Sequence, residues 1–285
     1  MSFAEQETSE DGGQPDTLFL FRFGTSGTAL HAYTDAEDSI DHYDPLLQQT
    51  ITYEPIPIGG DAVKSSGNLD HAGLVLKTPQ DSDLAERFKF YPPSELVTLT
   101  MRQGHSTDVA EQFLVNWTGK VIGFKVVGEQ AEFVCEHIIT ALKRNGLRRN
   151  YQYGCPHVLY GNMCGADKAA ASSNHVVQST DGPFITLLAG WTTDALKAKH
   201  VNGMAEWQAA DGRTEIRTIL RAETDGTILL SGEASDLDTG ETVTLRYGCS
   251  HLMPDCRDLH NNILNYGGQP FIPTKNPIGF RNIYY

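Results

Sequence analysis

The sequence predicts a mainly β protein, on three observations. Short β-branched and aromatic runs recur about every ten residues, Gly and Asp-Gly turn signals separate them, and the few helical stretches are one or two turns long. The first expected strands are Thr17–Phe23 and Thr28–Tyr33, a hairpin about Gly24–Gly27. Asp35–Asp44 reads as an acidic loop, Gln49–Tyr53 as a strand, and Glu54–Ile58 as extended, because each proline biases its predecessor away from helix. Gly59–Leu69 reads as loop. Strands are then expected at Gly73–Lys77, Leu96–Arg102, Gln112–Trp117, Gly119–Val127 and Ala131–His137. Asp83–Phe88 and the stretch from Ile138 read as short helical turns, the latter stopped at Gly146. These spacings suit a β-barrel or sandwich.

A second β series follows: His175–Gln178, Phe184–Leu188, Ala205–Gln208, Thr214–Ala222, Thr227–Leu230 and Thr242–Tyr247, with a helical turn at Ala195–His200. Asp211-Gly212 and Asp225-Gly226 mark tight turns. The expected organisation is a disordered acidic arm (1–16), a β-rich N-terminal domain (17–149), a cysteine-clamped C-terminal region (150–165 with 247–285), and a small β domain inserted between its parts (166–246). The Gly-, Pro- and aromatic-rich tail from Leu264 should lie extended over other structure.

Composition narrows function. The 36 acidic residues outnumber 22 basic ones, for a formal charge of −14, the wrong sign for neutralising phosphates. Lys143-Arg144 with Arg148-Arg149 is the one basic cluster, and it reads as a solvated helix end. No apolar run reaches the roughly 18 residues a membrane helix needs. The polar, acidic start at Met1–Asp16 does not read as a signal peptide, so the chain is expected to fold in a reducing cytosol.

A five-residue phrase occurs twice: Tyr153-Gly-Cys-Pro-His157 and Tyr247-Gly-Cys-Ser-His251. Cys155 is followed by Cys164 with eight residues between, Cys249 by Cys256 with six, and 84 residues separate the two pairs. Reducing surroundings disfavour disulfides, and the repeated context disfavours inert buried thiols. A Cys₄ metal centre remains. Zinc knuckles use tighter Cys-x₂₋₄-Cys pairs, and looser loops suit a bulkier [4Fe–4S] cubane, but spacing alone leaves iron–sulfur and zinc both open. Gly154, Gly165 and Gly248 flank the thiols, where their amides would approach sulfur. Cys135 sits in an apolar run and reads as core. His157 and His251 read as partners standing behind the ligands or as turn histidines, and Asp167, Asp255 and Asp258 as solvated loop acids. No nucleotide-binding, zinc-protease or nucleophile motif is present, so catalysis is not indicated.

Gly154-Cys155-Pro156-His157, Cys164-Gly165, Gly248-Cys249, Cys256-Arg257 and the closing Asn265-Tyr-Gly-Gly-Gln-Pro-Phe-Ile-Pro273 together resemble the phage tail-tip (baseplate hub) family, which includes the lambda tail-tip protein L and hub proteins of gene transfer agents. The match covers 150–273 well and 17–149 only in general β character. The lambda protein has a much shorter segment between its cysteine pairs. The resemblance implies a non-enzymatic virion protein at the tail tip, a homotrimer joining the distal tail ring to the central tip or fibre and meeting the end of the tape-measure protein. It would help close the tube until DNA is ejected through its lumen without specific binding. It also implies that Cys155, Cys164, Cys249 and Cys256 ligate the irons of a [4Fe–4S] cluster. The alternatives are a host iron–sulfur redox protein and a zinc-stabilised structural protein.

Overall fold

The fold is that of a computed structural model describing residues 6–9, 15–24, 30–60, 73–89, 91–105, 108, 112–143, 146, 151–190 and 193–273. It is mainly β, as expected. The chain divides into two compact units, Met1–Arg144 with Gln208–Glu215, and Asn145–Trp207 with Ile216–Tyr285.

In the first unit the strands are β1 (Pro15–Phe23), β2 (Leu30–Thr34), β3 (Ile40–Asp44), β4 (Gln49–Pro55), β5 (Gly59–Gly60), β6 (Gly73–Pro79), β7 (Val97–His105), β8 (Leu114–Val127) and β9 (Gln130–His137). They form one nine-stranded sheet, ordered β3-β4-β2-β1-β7-β8-β9-β6-β5. Strand β1 is central, and its alternation serves two cores. Phe19, Phe21 and Phe23 enter one, while Leu18 and Leu20 enter another with Ile51, Tyr53 and Phe113. Helix α1 (Asp83–Lys89) packs Leu84, Ala85 and Phe88 into the first of these.

Phe133 on β9 anchors that core, fully buried, with ring centroids 5.3 Å from Phe88, 5.2 Å from Phe124 and 6.1 Å from Phe21. Phe133→Ala is expected to cost about 3–5 kcal/mol, from lost transfer energy and the cavity left behind, read as a lower urea midpoint. Cys135 is also core, 1 % exposed, and burial pushes its thiol up to about 12.

Three details differ from expectation. The acidic loop contains a strand, β3, antiparallel to β4 from Ile40↔Tyr53 to Asp44↔Gln49. It lies at the sheet's edge, where charged residues are the usual protection against stray pairing. The two strands expected on either side of Thr118 are one, because the ladder runs on: Thr118 pairs with Thr100, Gly119 pairs with Leu99 and His137, and a Cβ on Gly119 would collide with the Trp117 ring. Of the segment expected as a disordered arm, Gln6 is buried and Glu7 lies 3.1 Å from His105 Nε2, while β1 already begins at Pro15. The rest of that arm, most of the Gly24–Gly27 turn, most of the Gly59–Leu69 loop, Arg144 with Arg148-Arg149, and the tail beyond Pro273 lie outside the described residues.

The second unit holds a closed six-stranded barrel, so it is the inserted segment that closes. Its strands are β10 (Ser172–Asp181), β11 (Phe184–Leu187), β12 (Met204–Gln208), β13 (Thr214–Ala222), β14 (Thr227–Leu230) and β15 (Thr242–Arg246), ordered β10-β11-β14-β13-β12-β15. Alternation fills the interior: Val243 and Leu245 point in with Ile185, Leu187, Ile219, Ile228 and Leu230, while Thr242 stays exposed. Gly226 turns at φ 94° where an L side chain would be strained, and Asp225 Oδ1 accepts from Thr227 N at 2.9 Å, the chemistry its dipeptide announced. Helix α2 (Asp194–His200) is capped by Thr193, whose Oγ1 accepts from Leu196 N.

The topology positions the cysteines. Strands β10 and β15 are antiparallel neighbours with Ser172 opposite Arg246, and Tyr247 N continues the ladder to Ala171 O. The chain therefore enters and leaves the barrel side by side, and the segments carrying Cys155–Cys164 and Cys249–Cys256 emerge together.

Candidate metal centre

Cys155, Cys164, Cys249 and Cys256 line one small cavity, with His157, Leu159, His251, Leu252, His260, Asn262 and Asn265 as the other walls. All four are free thiols. Backbone bonds lock the two loops together: Cys155 N donates to His251 O at 2.7 Å, and His251 Nδ1 returns to Cys155 O at 3.1 Å. His251 takes a left-handed turn, φ 61°, so that the chain can double back beside Cys249.

In the first loop, Cys164 N and Gly165 N both donate to Gly161 O, and Gly165 leaves the turn at φ 64°. The half-buried Tyr160 hydroxyl donates to Tyr247 O at 2.7 Å, and desolvation raises its pKa. In the second loop, Gly248 N donates to Lys199 O, and a Cβ on Gly248 would strike the Val201 carbonyl. Asp255 Oδ2 accepts from Ser250 N at 2.8 Å and opens a single π-helical turn, Asp255–Leu259, which carries Cys256.

Three of the sulfurs accept from N–H donors, the environment that holds thiolates. His251 N lies 3.3 Å from Cys249 Sγ, Gly267 N 3.4 Å from Cys155 Sγ, and Asn262 Nδ2 3.8 Å from Cys164 Sγ. Burial, then the neighbouring thiols Cys249, Cys155 and Cys164, push Cys256 up to about 11; burial raises Cys249 too. Ligation of a cation would therefore have to release the protons of these two thiols. Cys256 Sγ instead donates to Asn262 O at 3.1 Å, yet four thiols on one cavity, three with N–H groups on their sulfurs, fit a thiolate-held cluster. Among the described residues, no group of three or more His, Cys, Asp or Glu is placed to hold a single metal ion.

Two of the three expected glycine amides are not the donors: Gly165 and Gly248 bond the Gly161 and Lys199 carbonyls. Their role is close approach. His157 Nδ1 lies 3.2 Å from Asn265 O, so both repeated histidines brace backbone carbonyls. Asp167 Oδ1 accepts from Ala169 N and Ala170 N, and Asp258 pairs with Arg257 at 2.7 and 2.9 Å, as loop acids do.

Sequence reasoning missed Asn262, whose Nδ2 donates to Cys164 O at 2.6 Å, and Asn265, whose Nδ2 orients it through Asn262 Oδ1 at 2.7 Å. It also missed His260, whose Nε2 lies 2.8 Å from Gly248 O. Isolated polar residues carry no periodic signal. The closing motif did hold a clue: Gly267 reaches Cys155, Tyr266 Oη donates to Tyr153 O, and Gln269 N donates to Gln152 O.

A family profile described as "Phage conserved hypothetical protein BR0599" matches residues 199–276, which include Cys249 and Cys256 but not Cys155 or Cys164. No curated protein matches the sequence. Among solved structures, the fold is similar to a chain from "Virion of native gene transfer agent (GTA) particle", at TM-score 0.72 and 18% identity, covering 96% of this chain and 93% of that one.

Proposed function

We propose that this chain is a structural protein of a phage-type particle, located at the tail tip or baseplate hub. Its thiols Cys155, Cys164, Cys249 and Cys256 would ligate the irons of a [4Fe–4S] cluster that clasps the two segments leaving the barrel. The observation that carries the clasp is the meeting of four thiols from distant segments in one cavity, three of their sulfurs facing N–H donors. The particle assignment draws on the printed descriptions of the matched family and the matched virion chain, the latter alike along nearly the whole length. When bound, the cluster supplies four iron–thiolate cross-links; the protein's own contribution is to position the sulfurs and shield them.

In this reading three copies form a ring between the distal tail ring and the central tip or fibre, against the end of the tape-measure protein. The charge of −14 per chain would keep the lumen negative, so that DNA passes without sticking. No step of catalysis is assigned to it.

Anaerobically purified protein is expected to be brown, with about four iron and four sulfide per chain. Zinc without sulfide would replace the cluster by a mononuclear centre. In a tail reconstruction the chain should occupy the tip, and density elsewhere in the particle would overturn the hub assignment.

A further inference from the structure

Two imidazole nitrogens at the thiol cavity have no role in the clasp as described so far. His157 Nε2 and His260 Nδ1 are buried from solvent and have no hydrogen-bond partner among the described residues. Both rings line the cavity of the four cysteines. A buried polar atom left unpaired costs about 1–3 kcal/mol, so its persistence calls for an occupant.

The opposite nitrogen of each ring tells what that occupant is. His157 Nδ1 faces the Asn265 carbonyl at 3.2 Å, and His260 Nε2 faces the Gly248 carbonyl at 2.8 Å. A carbonyl only accepts, so each of these nitrogens carries its hydrogen. In the neutral ring the other nitrogen is then a bare lone pair. That is the form of a metal-binding histidine, whose second N–H is spent on a backbone carbonyl to fix tautomer and orientation.

His157 has the better position. Gly267 N lies 3.4 Å from Cys155 Sγ, and a Cβ on that same Gly267 would sit 2.6 Å from His157 Nε2. The imidazole lone pair and the Cys155 sulfur therefore flank one residue. Cys155 is also partly exposed, whereas Cys256 is buried, so Cys155 is the more open to withdrawal. Imidazole is a competent iron–sulfur ligand, since Rieske centres carry two histidines on one iron.

We infer that His157 is a reserve iron ligand, its Nε2 taking over the iron that Cys155 holds when that thiolate is withdrawn. The inference rests on the iron–sulfur reading above. The exchange moves no electrons between metal and ligand: the iron–sulfur bond breaks with both electrons kept by sulfur, which takes a proton from water, and the Nε2 lone pair forms the new iron–nitrogen bond. The absence of a three-ligand single-ion site does not oppose this, because ligands of a cluster bind different irons.

The test reconstitutes the full chain with ferrous iron and sulfide under anaerobic conditions, as wild type, His157→Ala, Cys155→Ala and the double variant. Iron and sulfide per chain are measured, and the reduced proteins, labelled with ¹⁵N-histidine, are examined by pulsed electron paramagnetic resonance. His157→Ala alone sets the baseline for losing the ring and its brace on the Asn265 carbonyl. Cys155→Ala should keep most of the iron and show ¹⁵N coupling of a directly bound imidazole, and the double variant should fall about tenfold. Equal iron in Cys155→Ala and the double variant, or retention without that coupling, overturns the inference while leaving the clasp intact. A wild type without iron and sulfide overturns both. Should Cys155→Ala be insoluble, Cys155→Ser with and without His157→Ala is compared in the same way, and insolubility there too means that His157 does not replace the lost ligand.

Discussion

Asp44→Ala is expected to destabilise the first unit by about 3–5 kcal/mol, because it strands a buried guanidinium. Asp44 Oδ2 accepts from Arg102 Nη2 at 2.8 Å, and the two side chains are 3% and 7% exposed. Asp44 Oδ1 is also occupied, accepting from Leu46 N at 2.8 Å and Leu47 N at 3.2 Å to close the turn between β3 and β4. One carboxylate thus shapes the edge hairpin and ties it to β7, which stands four places away in strand order. Removing it leaves a charge in low dielectric with no carboxylate paired to it among the described residues and frees two turn amides. Asp44→Asn, which can still accept from those amides, should cost less. Changing both Asp44 and Arg102 to apolar residues of similar volume should recover much of the loss, since desolvation roughly cancels the attraction within a buried pair. Urea unfolding followed by circular dichroism reads all three. A loss below about 1 kcal/mol for Asp44→Ala would show that the pair is screened as a surface ion pair is.

Much of this was visible in the sequence, and the reasons differ by element. The barrel strands were legible because each alternates cleanly, as Thr242-Val-Thr-Leu-Arg246 does, and because Asp225-Gly226 supplies a turn with its own mechanism. Strand β3 was not, since its inward face is Ile40, His42 and Asp44: only Ile40 is apolar, and the other two read as loop although His42 packs on Phe113 and Asp44 is buried. The join between the expected strands Gln112–Trp117 and Gly119–Val127 was not legible either, because Gly119 makes room for Trp117 inside one continuous strand. At the thiol cavity the repeated phrase exposed the four thiols and the bracing histidines. The residues that complete the site escaped notice: Asn262 acts through a carboxamide oriented by Asn265, and Gly267 through its backbone amide. Neither leaves a spacing that a sequence can show.

Cys249→Ser is expected to loosen the segments outside the barrel and to spare the barrel itself. The 84 residues between Cys164 and Cys249 suggest a clasp closing a long loop, worth on the order of 4–5 kcal/mol by chain entropy. The topology reduces that. Ser172 already lies opposite Arg246, and Tyr247 N is bonded to Ala171 O, so the folded barrel closes the loop before any metal binds. What the proposed clasp would order is the short path from Cys164 to Ala171 and from Tyr247 to Cys249, an effective loop of roughly ten to fifteen residues worth about 3 kcal/mol. Hydrogen exchange separates the two accounts. Amide protection at Cys155, Cys164 and Asn262, whose bonds run between and around the thiol loops, should fall by roughly a hundredfold in Cys249→Ser, as about 3 kcal/mol implies. Protection at Ile219 and Val243, inside the barrel, should stay within about threefold of wild type. Equal loss at both sets would mean that the barrel cannot hold its own ends together and that the metal centre folds the whole unit. Unchanged protection at the thiol loops would mean that their direct bonds, such as Cys155 N to His251 O, suffice without a bound group.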